Sequence, residues 1–553
     1  MPDSLEIIIK RYALQNAVEY EGNANPGSIL GKILAAEPEL RKNVPEVQEN
    51  VNRIVADINS MTLDDQKKLL DEIGKPEKQE KKKQEGLPAL EKAEQGKVVL
   101  RFAPNPDGAI HFGNARPAIL SHEYAKQYKG KFILRFDDTD PKTKIPEKIF
   151  YDWIREDLKW LGIVAQKEII ASKRLDIYKE YAKRTILKGA AYICICNSDD
   201  WKKKRNKGEG CKCRSLSIEE NLKKWDKMVK GGYKEGKAVL RIKTSMQHNN
   251  PAVRDWPGFR IVDKPKHPYS KSKLWPLYNF ASAIDDYEMK VTHIIRGQEH
   301  STNEAKQRFL YKAFNWEYPV VKIVGRLSLK GVVMSKSKTR EGIKKKEFDG
   351  WEDPRLGTIR ALRRRGYRPE TIRKIIVDMG TSSSDSSIAL ENLAGYNRKF
   401  VDPIAKRFFF VSDPVKIKLS RKINHVAKLK LHPEKNMGFR QLKVRTAIWI
   451  TKDDFQKFKK KEVRLMGLSN VILNSTSEVL DQENKHVQKI HWVPVEESIK
   501  TVVITPNGQI KGLIEKSVMK NAKIDDIVQF ERFGFCRIEK LSKTSVVAIF
   551  AHK

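Results

Sequence analysis

Residues 98–140, VVLRFAPNPDGAIHFGNARPAILSHEYAKQYKGKFILRFDDTD, contain the pattern that decides the fold of this chain. Val98, Val99, Leu100 and Phe102 form a short apolar, β-prone run, which is typical of a buried parallel strand. Proline and glycine then end the strand, and Ala115 to Tyr128 has a helix-forming composition. A strand that leads into a helix N-terminus forms an anion site, because free backbone N–H groups and the helix dipole point toward it. The pattern therefore predicts a nucleotide-binding α/β domain.

Two loops carry side chains suited to a nucleotide. In the first loop, His111 and Asn114 flank Gly113, so the backbone can approach the nucleotide closely while both side chains donate hydrogen bonds to phosphate oxygens. The second loop, VVMSKSK at 332–338, contains two lysines that can close over a triphosphate. The phosphate-binding motif GxxxxGK[ST] does not occur in the sequence. The two loops together predict an ATP site of another kind.

The stretch PNPDGAIHFGN, followed in order by KFILRFDDTDP, YNFASAIDD, THIIRGQEH and VMSKS, resembles class I aminoacyl-tRNA synthetases of the glutamyl and glutaminyl subfamily. The resemblance implies a multidomain α/β protein with a Rossmann-type catalytic domain and a zinc-bearing insertion. It further implies an N-terminal helical extension and C-terminal all-β barrels that bind the anticodon. The chain departs from the family at Asn114, where the first signature ends in His, and at Val333, where the second begins with Lys. Asn114 keeps a hydrogen-bond donor, and Val333 shifts the cationic role to Lys336.

The resemblance also implies residue roles. The catalytic residues would be His111, Asn114 and Lys336. The residues that bind the amino acid would be Arg101, Asn105, Asp137, Tyr278, Ser282 and Arg296. The residues that bind ATP would be Gly113, Gln298, Glu299, Met334, Ser335 and Lys336. Arg101, Asp137 and Arg296 are predicted at strand ends, where open parallel sheets bind ligands, whereas Tyr278 taken alone is equally consistent with a core tyrosine.

Arg296 separates the two branches of the subfamily. A buried carboxylate side chain needs a cation, and a guanidinium pairs with it through two hydrogen bonds. Glutaminyl enzymes have a small uncharged residue at this place, so Arg296 favours a glutamyl enzyme. The helical extension, the segment WEDPRLGTIRALRRRGYRPE and the β-rich C-terminal part resemble the archaeal and eukaryotic type of that enzyme. The implied activity is that of a glutamate–tRNA ligase, which uses ATP and Mg²⁺ to form glutamyl-adenylate from L-glutamate. The glutamyl group then passes to the 3′-terminal ribose of tRNA(Glu), with tRNA(Gln) as a second candidate acceptor.

Four cysteines form two C-x-C pairs, Cys194 with Cys196 and Cys211 with Cys213, among lysines and arginines that favour thiolates. Two such pairs can provide four thiolates to a tetrahedral Zn²⁺ ion. Because four protein ligands leave no open position, we predict a structural zinc ion. Four reduced structural cysteines are the alternative. By the resemblance, the metal would hold the insertion that grips the acceptor end of tRNA.

Composition restricts the class of protein. Lys and Arg outnumber Asp and Glu by 108 to 70 in 553 residues, a formal charge of +38 that favours a polyanion such as nucleic acid. A lysine-rich surface without such a partner is the alternative. Five cysteines do not form a disulfide framework, and no apolar run approaches about 18 residues. We expect a cytoplasmic monomer with no membrane segment.

The sequence divides into seven predicted segments. They are a helical N-terminal extension (1–74), a charged linker (75–97), the first half of the catalytic fold (98–190), an acceptor-binding insertion with the zinc site (191–272), the second half of the catalytic fold (273–331), the lysine loop with a helical connecting domain (332–401), and the anticodon-binding β-barrels (402–553). The extension is equally consistent with tRNA contact, a stabilising role, or docking of a translation protein such as a tRNA-dependent amidotransferase.

Two further patterns suggest nucleic-acid contact. Arg360, Arg363, Arg364 and Arg365 predict a basic helical face, which is either solvated or follows a phosphate backbone. Lysines alternate with Phe455, Trp492 and Phe533 near the C-terminus, a mixture that binds single-stranded loops, with core aromatics as the alternative.

Two other functions are the alternatives to this prediction. Glutaminyl-tRNA synthetase is disfavoured by Arg296. A catalytically inactive tRNA-binding or scaffold paralogue is suggested by the helical extension and by Val333.

Overall fold

The computed structural model of the chain describes residues 5–74, 76, 86–423 and 426–553. The chain separates into two compact units, Met1–Glu85 and Gly86–Lys553. Residues 75 and 77–85 of the charged linker predicted at 75–97 lie outside the described residues, which begin again at residue 86.

The N-terminal unit is helical. Its helices are α1 (Leu5–Glu19), α2 (Pro26–Ala36), α3 (Val44–Asn59) and α4 (Leu63–Ile73), with a 3₁₀ helix at Pro38–Asn43. Apolar residues at helical spacing, such as Ile9 and Val51, are fully buried between the helices. The predicted start of α4 is confirmed, because the Thr62 hydroxyl accepts a hydrogen bond from the backbone N–H of Asp65.

The first half of the catalytic domain alternates strands and helices. Its elements are β1 (Val99–Phe102), α5 (Phe112–Gln127), β2 (Lys131–Phe136), α6 (Lys148–Trp160), β3 (Lys167–Ile170) and α7 (Leu175–Leu187). The three strands pair in parallel. Their side chains are mostly buried, as expected for a sheet covered on both faces. The strand and helix predicted around the first loop are therefore confirmed.

An antiparallel domain interrupts the catalytic fold. Its elements are β4 (Ala191–Cys194), α8 (Ser198–Lys207), α9 (Ile218–Val229), β5 (Val239–Ile242), β6 (Pro257–Ile261) and β7 (Leu274–Pro276). The four strands form one sheet in the order β4-β5-β6-β7. The first C-x-C pair begins where β4 ends.

The second half of the catalytic domain completes the parallel layer. Its elements are α10 (Tyr278–Glu288), β8 (His293–Gly297), α11 (Ser301–Phe314), β9 (Val320–Val324) and β10 (Leu327–Lys330). β8 pairs in parallel with β9. The backbone N–H of Thr292 donates to the Val99 carbonyl at 3.0 Å, which sets β8 beside β1. The resulting strand order is β3-β2-β1-β8-β9. From β1 the chain adds strands toward one edge of the sheet, and from β8 it adds them toward the other. Open α/β sheets form a ligand crevice at such a switch point, at the carboxyl ends of the strands.

A helical segment follows the catalytic sheet. It contains α12 (Lys336–Lys344), α13 (Ile359–Arg364), α14 (Pro369–Met379), β11 (Ser386–Ala389) and α15 (Leu390–Val401). β10 and β11 pair in parallel, so this segment packs directly on the strand that leads into the lysine loop.

The predicted basic face around α13 is wrong for three of its four arginines. Arg360 donates to Glu156 and Glu352, Arg364 donates to Glu539, and the buried Arg365 donates to a backbone carbonyl of the last strand. These side chains join parts of the second unit to one another. Arg363 is exposed.

The C-terminal part is built from two seven-stranded sheets and one two-stranded sheet. Its elements are β12 (Lys406–Phe408), β13 (Phe410–Ser412), β14 (Pro414–Leu419), β15 (Ala427–Lys430), β16 (Phe439–Leu442), β17 (Ala447–Thr451), α16 (Lys452–Phe458), β18 (Glu462–Leu465), β19 (Asn470–Ile472), β20 (Thr476–Val479), β21 (Gln488–Ile490), β22 (Val493–Pro494), β23 (Ser498–Thr505), β24 (Gly508–Glu515), α17 (Val518–Asn521), β25 (Ile527–Phe530), β26 (Gly534–Leu541) and β27 (Ser545–His552).

Each of the two seven-stranded sheets curls back on itself, whereas β15 and β16 pair with each other. One sheet begins with β12 and ends with β13, and the other begins with β21 and ends with β22. In both cases the two outermost strands are neighbours in the sequence, separated by only one or two residues, so the sheet edges must lie close together. This arrangement agrees with the predicted barrels.

The aromatic residues of this region are mainly core residues. Trp492 is fully buried, while Phe455 and Phe533 are partly buried and pack against the two apolar cores. The single cysteine of the region, Cys536, is buried in the core. No helix in the described part of the chain is long and apolar enough to cross a bilayer.

Candidate active site

The first loop ends at the N-terminus of α5, where His111 is the capping residue. Its Nδ1 accepts a hydrogen bond from the backbone N–H of Asn114 at 3.3 Å. The proton of the neutral imidazole must therefore lie on Nε2, which makes that nitrogen a donor. Burial, and then the charge of Lys336, lowers the pKa of His111 to about 4. A Cβ at position 113 would lie 2.6 Å from a backbone carbonyl oxygen, so only glycine fits there.

The lysine loop lies against the first loop. The Lys336 ammonium donates to Asp107 Oδ1 at 2.7 Å and to the Asn105 carbonyl at 3.2 Å. Burial lowers the pKa of Lys336. The loop is anchored by backbone hydrogen bonds of Val333 to Arg355 and Gly357. Backbone hydrogen bonds also connect this anchor to residues 110–112 at the end of the first loop, so the two signature loops form one structure.

Arg296 lies near the carboxyl end of β8 and is 4% exposed. Both terminal nitrogens of its guanidinium donate to Gln307 Oε1 at 3.3 Å. Its Nε has no hydrogen-bond partner among the described residues. Within the described ranges, none of the ion pairs includes Arg296, so its charge is not matched by a carboxylate.

The other buried arginines of the crevice have carboxylate partners. Arg101 donates through two nitrogens to the carboxylate of Asp286, at 3.0 and 3.2 Å. Arg135 donates to Asp285 at 2.6 Å and to Asp137 at 2.9 Å. Arg101 is therefore largely occupied by Asp286, which leaves it less free to contact the amino acid than the sequence predicts.

Asp137 follows β2 at the edge of the crevice, as predicted. Burial raises the pKa of Asp137, although Arg135 beside it acts in the opposite direction. A positively charged group bound next to this carboxyl would favour its ionised form.

Several buried polar atoms in the crevice lack a partner in the described part of the chain. They are Asn105 Oδ1, Ser282 Oγ and Arg296 Nε. Leaving buried polar groups unpaired costs about 1–3 kcal/mol each, so such atoms typically face a ligand or water. All three belong to residues predicted to bind the amino acid, which is consistent with a polar ligand there.

The residues predicted on the ATP side are more exposed. Gln298 and Glu299 form a short 3₁₀ turn directly after β8. A Cβ at Gly297 would lie 2.5 Å from the Glu299 carboxylate, which is the flexible end of an exposed side chain and can move aside. In the lysine loop, the Ser335 hydroxyl caps α12, and the Met334 sulfur accepts a hydrogen bond from Leu329 at 3.0 Å.

Electrostatic contacts link the two sides of the crevice. Burial lowers the pKa of His300, and the charges of Arg296 and Lys144 lower it further. Lys144 also contributes to lowering the pKa of Lys336. Tyr278 lies beside His300, with ring centroids 6.3 Å apart. Lys144 therefore influences both His300, in the turn after β8, and Lys336, in the lysine loop.

The four cysteines of the insertion converge. Their sulfur atoms all lie within 4.8 Å of one another. The Cys194 and Cys211 sulfurs are 3.9 Å apart, and those of Cys196 and Cys213 are 3.8 Å apart. A hydrogen bond from Cys194 lowers the pKa of Cys211 to about 5. Zn–S bonds of about 2.3 Å in a tetrahedron place the sulfurs roughly 3.8 Å apart, so the cluster fits such an ion.

Some residues of the site were missed in the sequence. Asp107 lies inside the quoted signature, yet nothing in the pattern marked it as the partner of Lys336. Gln307 and Tyr318 lie on and after α11 and gave no recognisable signal, because their roles depend on a contact with β8.

Comparison with known proteins identifies the family. The family described as tRNA synthetases class I (E and Q) matches with its catalytic domain over residues 97–403. Its two anticodon-binding domains match residues 405–495 and 489–539.

Curated relatives match along the whole chain. The glutamate–tRNA ligase of Pyrococcus furiosus is 51% identical over 99% of this chain and 100% of that protein. The glutamate–tRNA ligase of Thermococcus onnurineus is 50% identical over all of both chains, and that of Methanosarcina acetivorans is 42% identical over 100% of this chain and 99% of that protein. With the crevice, both signature loops and the anticodon-binding barrels in place, the chain belongs to the class I tRNA synthetases of the glutamyl and glutaminyl type, among the archaeal glutamate–tRNA ligases.

Proposed function

We propose that the crevice activates L-glutamate with ATP and transfers the glutamyl group to tRNA(Glu). The observation that carries this choice of substrate is the buried Arg296 guanidinium, which has no carboxylate partner among the described residues. A glutamate side chain supplies the missing charge, whereas the neutral amide of glutamine does not. The relatives that match along the whole chain are named glutamate–tRNA ligases, which supports glutamate as the substrate.

The remaining groups suit the backbone of the amino acid. The unpartnered oxygens of Asn105 and Ser282 accept hydrogen bonds from a bound substrate. The Asp137 carboxylate pairs with the α-ammonium group, which offsets the effect of burial on its pKa. Tyr278 borders this space from the N-terminus of α10, and Arg101, fixed by Asp286, supports it from β1.

The activation step depends on positioning and charge. The glutamate α-carboxylate attacks the α-phosphorus of ATP, and pyrophosphate leaves. His111 donates from Nε2, Asn114 donates from its amide, and Lys336 neutralises charge on the phosphoryl oxygens and the departing pyrophosphate. Bound Mg²⁺ would neutralise further phosphate charge. No side-chain nucleophile takes part, so the rate comes from alignment and electrostatic stabilisation.

The nucleotide is held between the two loops. The close approach of the backbone at Gly113 suits a phosphate group at the N-terminus of α5. Gln298 and Glu299 lie in the turn after β8 and face the ribose and base, while Met334 and Ser335 contribute from the lysine loop. The contact between Lys336 and Asp107 opens when the lysine turns toward the triphosphate.

The four-cysteine cluster holds a structural Zn²⁺ ion in this proposal. Its sulfur spacings match a tetrahedral tetrathiolate, and four protein ligands leave no position for a reacting water. The ion would fix β4 against the segment that carries the second cysteine pair. The insertion could then present its surface to the acceptor end of tRNA.

Charging assays test the proposal. Purified tRNA(Glu) and tRNA(Gln) are incubated with ATP and labelled glutamate or labelled glutamine, and pyrophosphate exchange is measured with and without tRNA. Charging of tRNA(Glu) with glutamate is expected, with glutamate charging of tRNA(Gln) measured in the same series. Activity with glutamine alone would instead identify a glutaminyl enzyme, and no exchange with either amino acid would identify an inactive tRNA-binding paralogue.

A further inference from the structure

Gln307 is the direct partner of Arg296. It lies on α11 and is fully buried. Its Oε1 accepts from both terminal nitrogens of Arg296 at 3.3 Å and from the Tyr318 hydroxyl at 2.7 Å. Tyr318 is itself held in place, since the Arg308 guanidinium lies 4.6 Å from its ring centre and Tyr311 packs edge-on at 4.8 Å.

These contacts fix the orientation of the Gln307 amide. Three donor groups converge on Oε1, so rotating the amide by half a turn would place its NH₂ group against a guanidinium and a hydroxyl donor. The Nε2 atom is buried and has no partner within the described residues. The amide thus holds Arg296 by accepting hydrogen bonds and adds no charge to it.

This neutral partner is unlike the partners of the neighbouring arginines. Arg101 pairs with Asp286, while Arg135 and Arg174 share Asp285. Glutamine and glutamate side chains have nearly the same shape, so a carboxylate would fit at 307 in the same geometry. The identity of residue 307 therefore determines whether the positive charge of Arg296 is already paired with a carboxylate of the protein.

We propose that Gln307 is the residue that sets the charge selectivity of the crevice, by positioning Arg296 with a neutral oxygen and leaving its positive charge for a substrate carboxylate. The inference rests on the proposed function, in which Arg296 binds the glutamate side chain. It adds that the neutrality of residue 307 matters as much as the presence of the arginine.

The proposal predicts different effects for two substitutions at position 307. Gln307→Glu keeps the acceptor but neutralises Arg296, so it should remove the preference for glutamate over glutamine. Gln307→Met keeps the length of the side chain and the charge of Arg296 but loses the acceptor. It should weaken binding through poorer positioning while the preference for glutamate remains.

The experiment uses the full-length protein with tRNA(Glu) present. Equilibrium dialysis with labelled glutamate and labelled glutamine gives the two dissociation constants for wild type, Gln307→Glu and Gln307→Met, and pyrophosphate exchange gives kcat and KM. Gln509→Glu adds the same charge at an exposed position on β24 and serves as the matched control. Thermal unfolding checks that each variant is folded.

In Gln307→Glu, the affinity ratio of glutamate to glutamine should fall by about 100-fold, the scale of a buried charge pair. In Gln307→Met, the KM for glutamate should rise about tenfold with the ratio retained within about threefold, and kcat should change less than KM. A wild-type ratio in Gln307→Glu, or equal loss of the ratio in both variants, would overturn the inference. If Gln307→Glu does not fold, the test rests on Gln307→Met. An unchanged KM for glutamate in that variant overturns the inference, and the expected tenfold rise in KM with the glutamate preference retained supports it.

Arg296→Ala, measured in parallel, separates this inference from the proposed function. If Arg296→Ala binds glutamate as the wild type does, the proposed function fails. If Arg296→Ala loses glutamate binding but Gln307→Glu keeps the wild-type ratio, only the role of Gln307 fails.

Discussion

Replacing Arg296 by alanine should lower kcat/KM for glutamate by about 100-fold or more. A carboxylate about 4 Å from the guanidinium gains roughly 4 kcal/mol at an effective dielectric constant of about 20. Because the carboxylate also loses hydration when it enters a site that is 4% exposed, part of this energy is offset. A net loss of about 3 kcal/mol corresponds to about two decades, at 1.36 kcal/mol per decade.

Tests of this substitution use pyrophosphate exchange with tRNA(Glu) present, varying glutamate and ATP in turn. The KM for ATP should stay within about twofold, since the nucleotide contacts other residues. Arg296→Lys should lie between wild type and alanine, because an ammonium group keeps the charge but loses the two-pronged geometry. Arg184→Ala removes a positive charge from the exposed side of α7 and controls for net charge. Wild-type kinetics in Arg296→Ala would refute the assignment of the crevice to the glutamate side chain.

Three further predictions concern residues other than Arg296. Because the pKa of His111 is about 4 in the folded protein and 6.5 for an ordinary histidine, unfolding takes up a proton at pH values between these two. The free energy of unfolding should therefore fall as the pH drops from 6.5 to 4, by about 3 kcal/mol from this residue; comparing wild type with His111→Ala by denaturant titration tests this, and parallel pH curves would contradict it. Cys211→Ser should lose a stoichiometric zinc ion measured by atomic emission, whereas Cys536→Ser, in an apolar core, should keep it; unchanged zinc in Cys211→Ser would exclude the tetrathiolate site. Arg364→Ala should lower the urea midpoint by breaking its two hydrogen bonds to Glu539, and a double-mutant cycle with Glu539→Gln should give a coupling of about 1 kcal/mol; additive effects would show that the pair contributes nothing.

The local parts of the catalytic fold follow from sequence because their causes are local. An apolar strand, a loop rich in proline and glycine, and a helix-forming run predicted β1 and α5 correctly. The helix begins at Phe112 instead of near Ala115, because the His111 side chain caps its first turn. Arg296 could be placed near the end of β8 for the same reason, since the strand pattern stops at Gly297.

The pairing of charged groups could not be predicted from the local sequence. Lys336 and Asp107 are 229 residues apart, and Arg364 and Glu539 are 175 residues apart. A run of arginines on a helix looks the same in a sequence whether it faces solvent, phosphates or carboxylates of the same chain. Only the fold decides between these, which is why the basic face predicted around α13 was wrong while the strand ends were right.

The arrangement of charges in the crevice explains why its cost in stability is tolerated. Arg101 and Arg135 are neutralised by aspartates, so they form a rigid scaffold with little net charge. Against that neutral background, the unpaired charge of Arg296 is the feature of the proposed site that distinguishes glutamate from glutamine, which have nearly the same shape. A buried guanidinium without a carboxylate, together with unpaired oxygens such as Ser282 Oγ, destabilises the free protein. In the proposed function, a bound glutamate would satisfy the same groups, so the free energy lost on folding would return as selective binding.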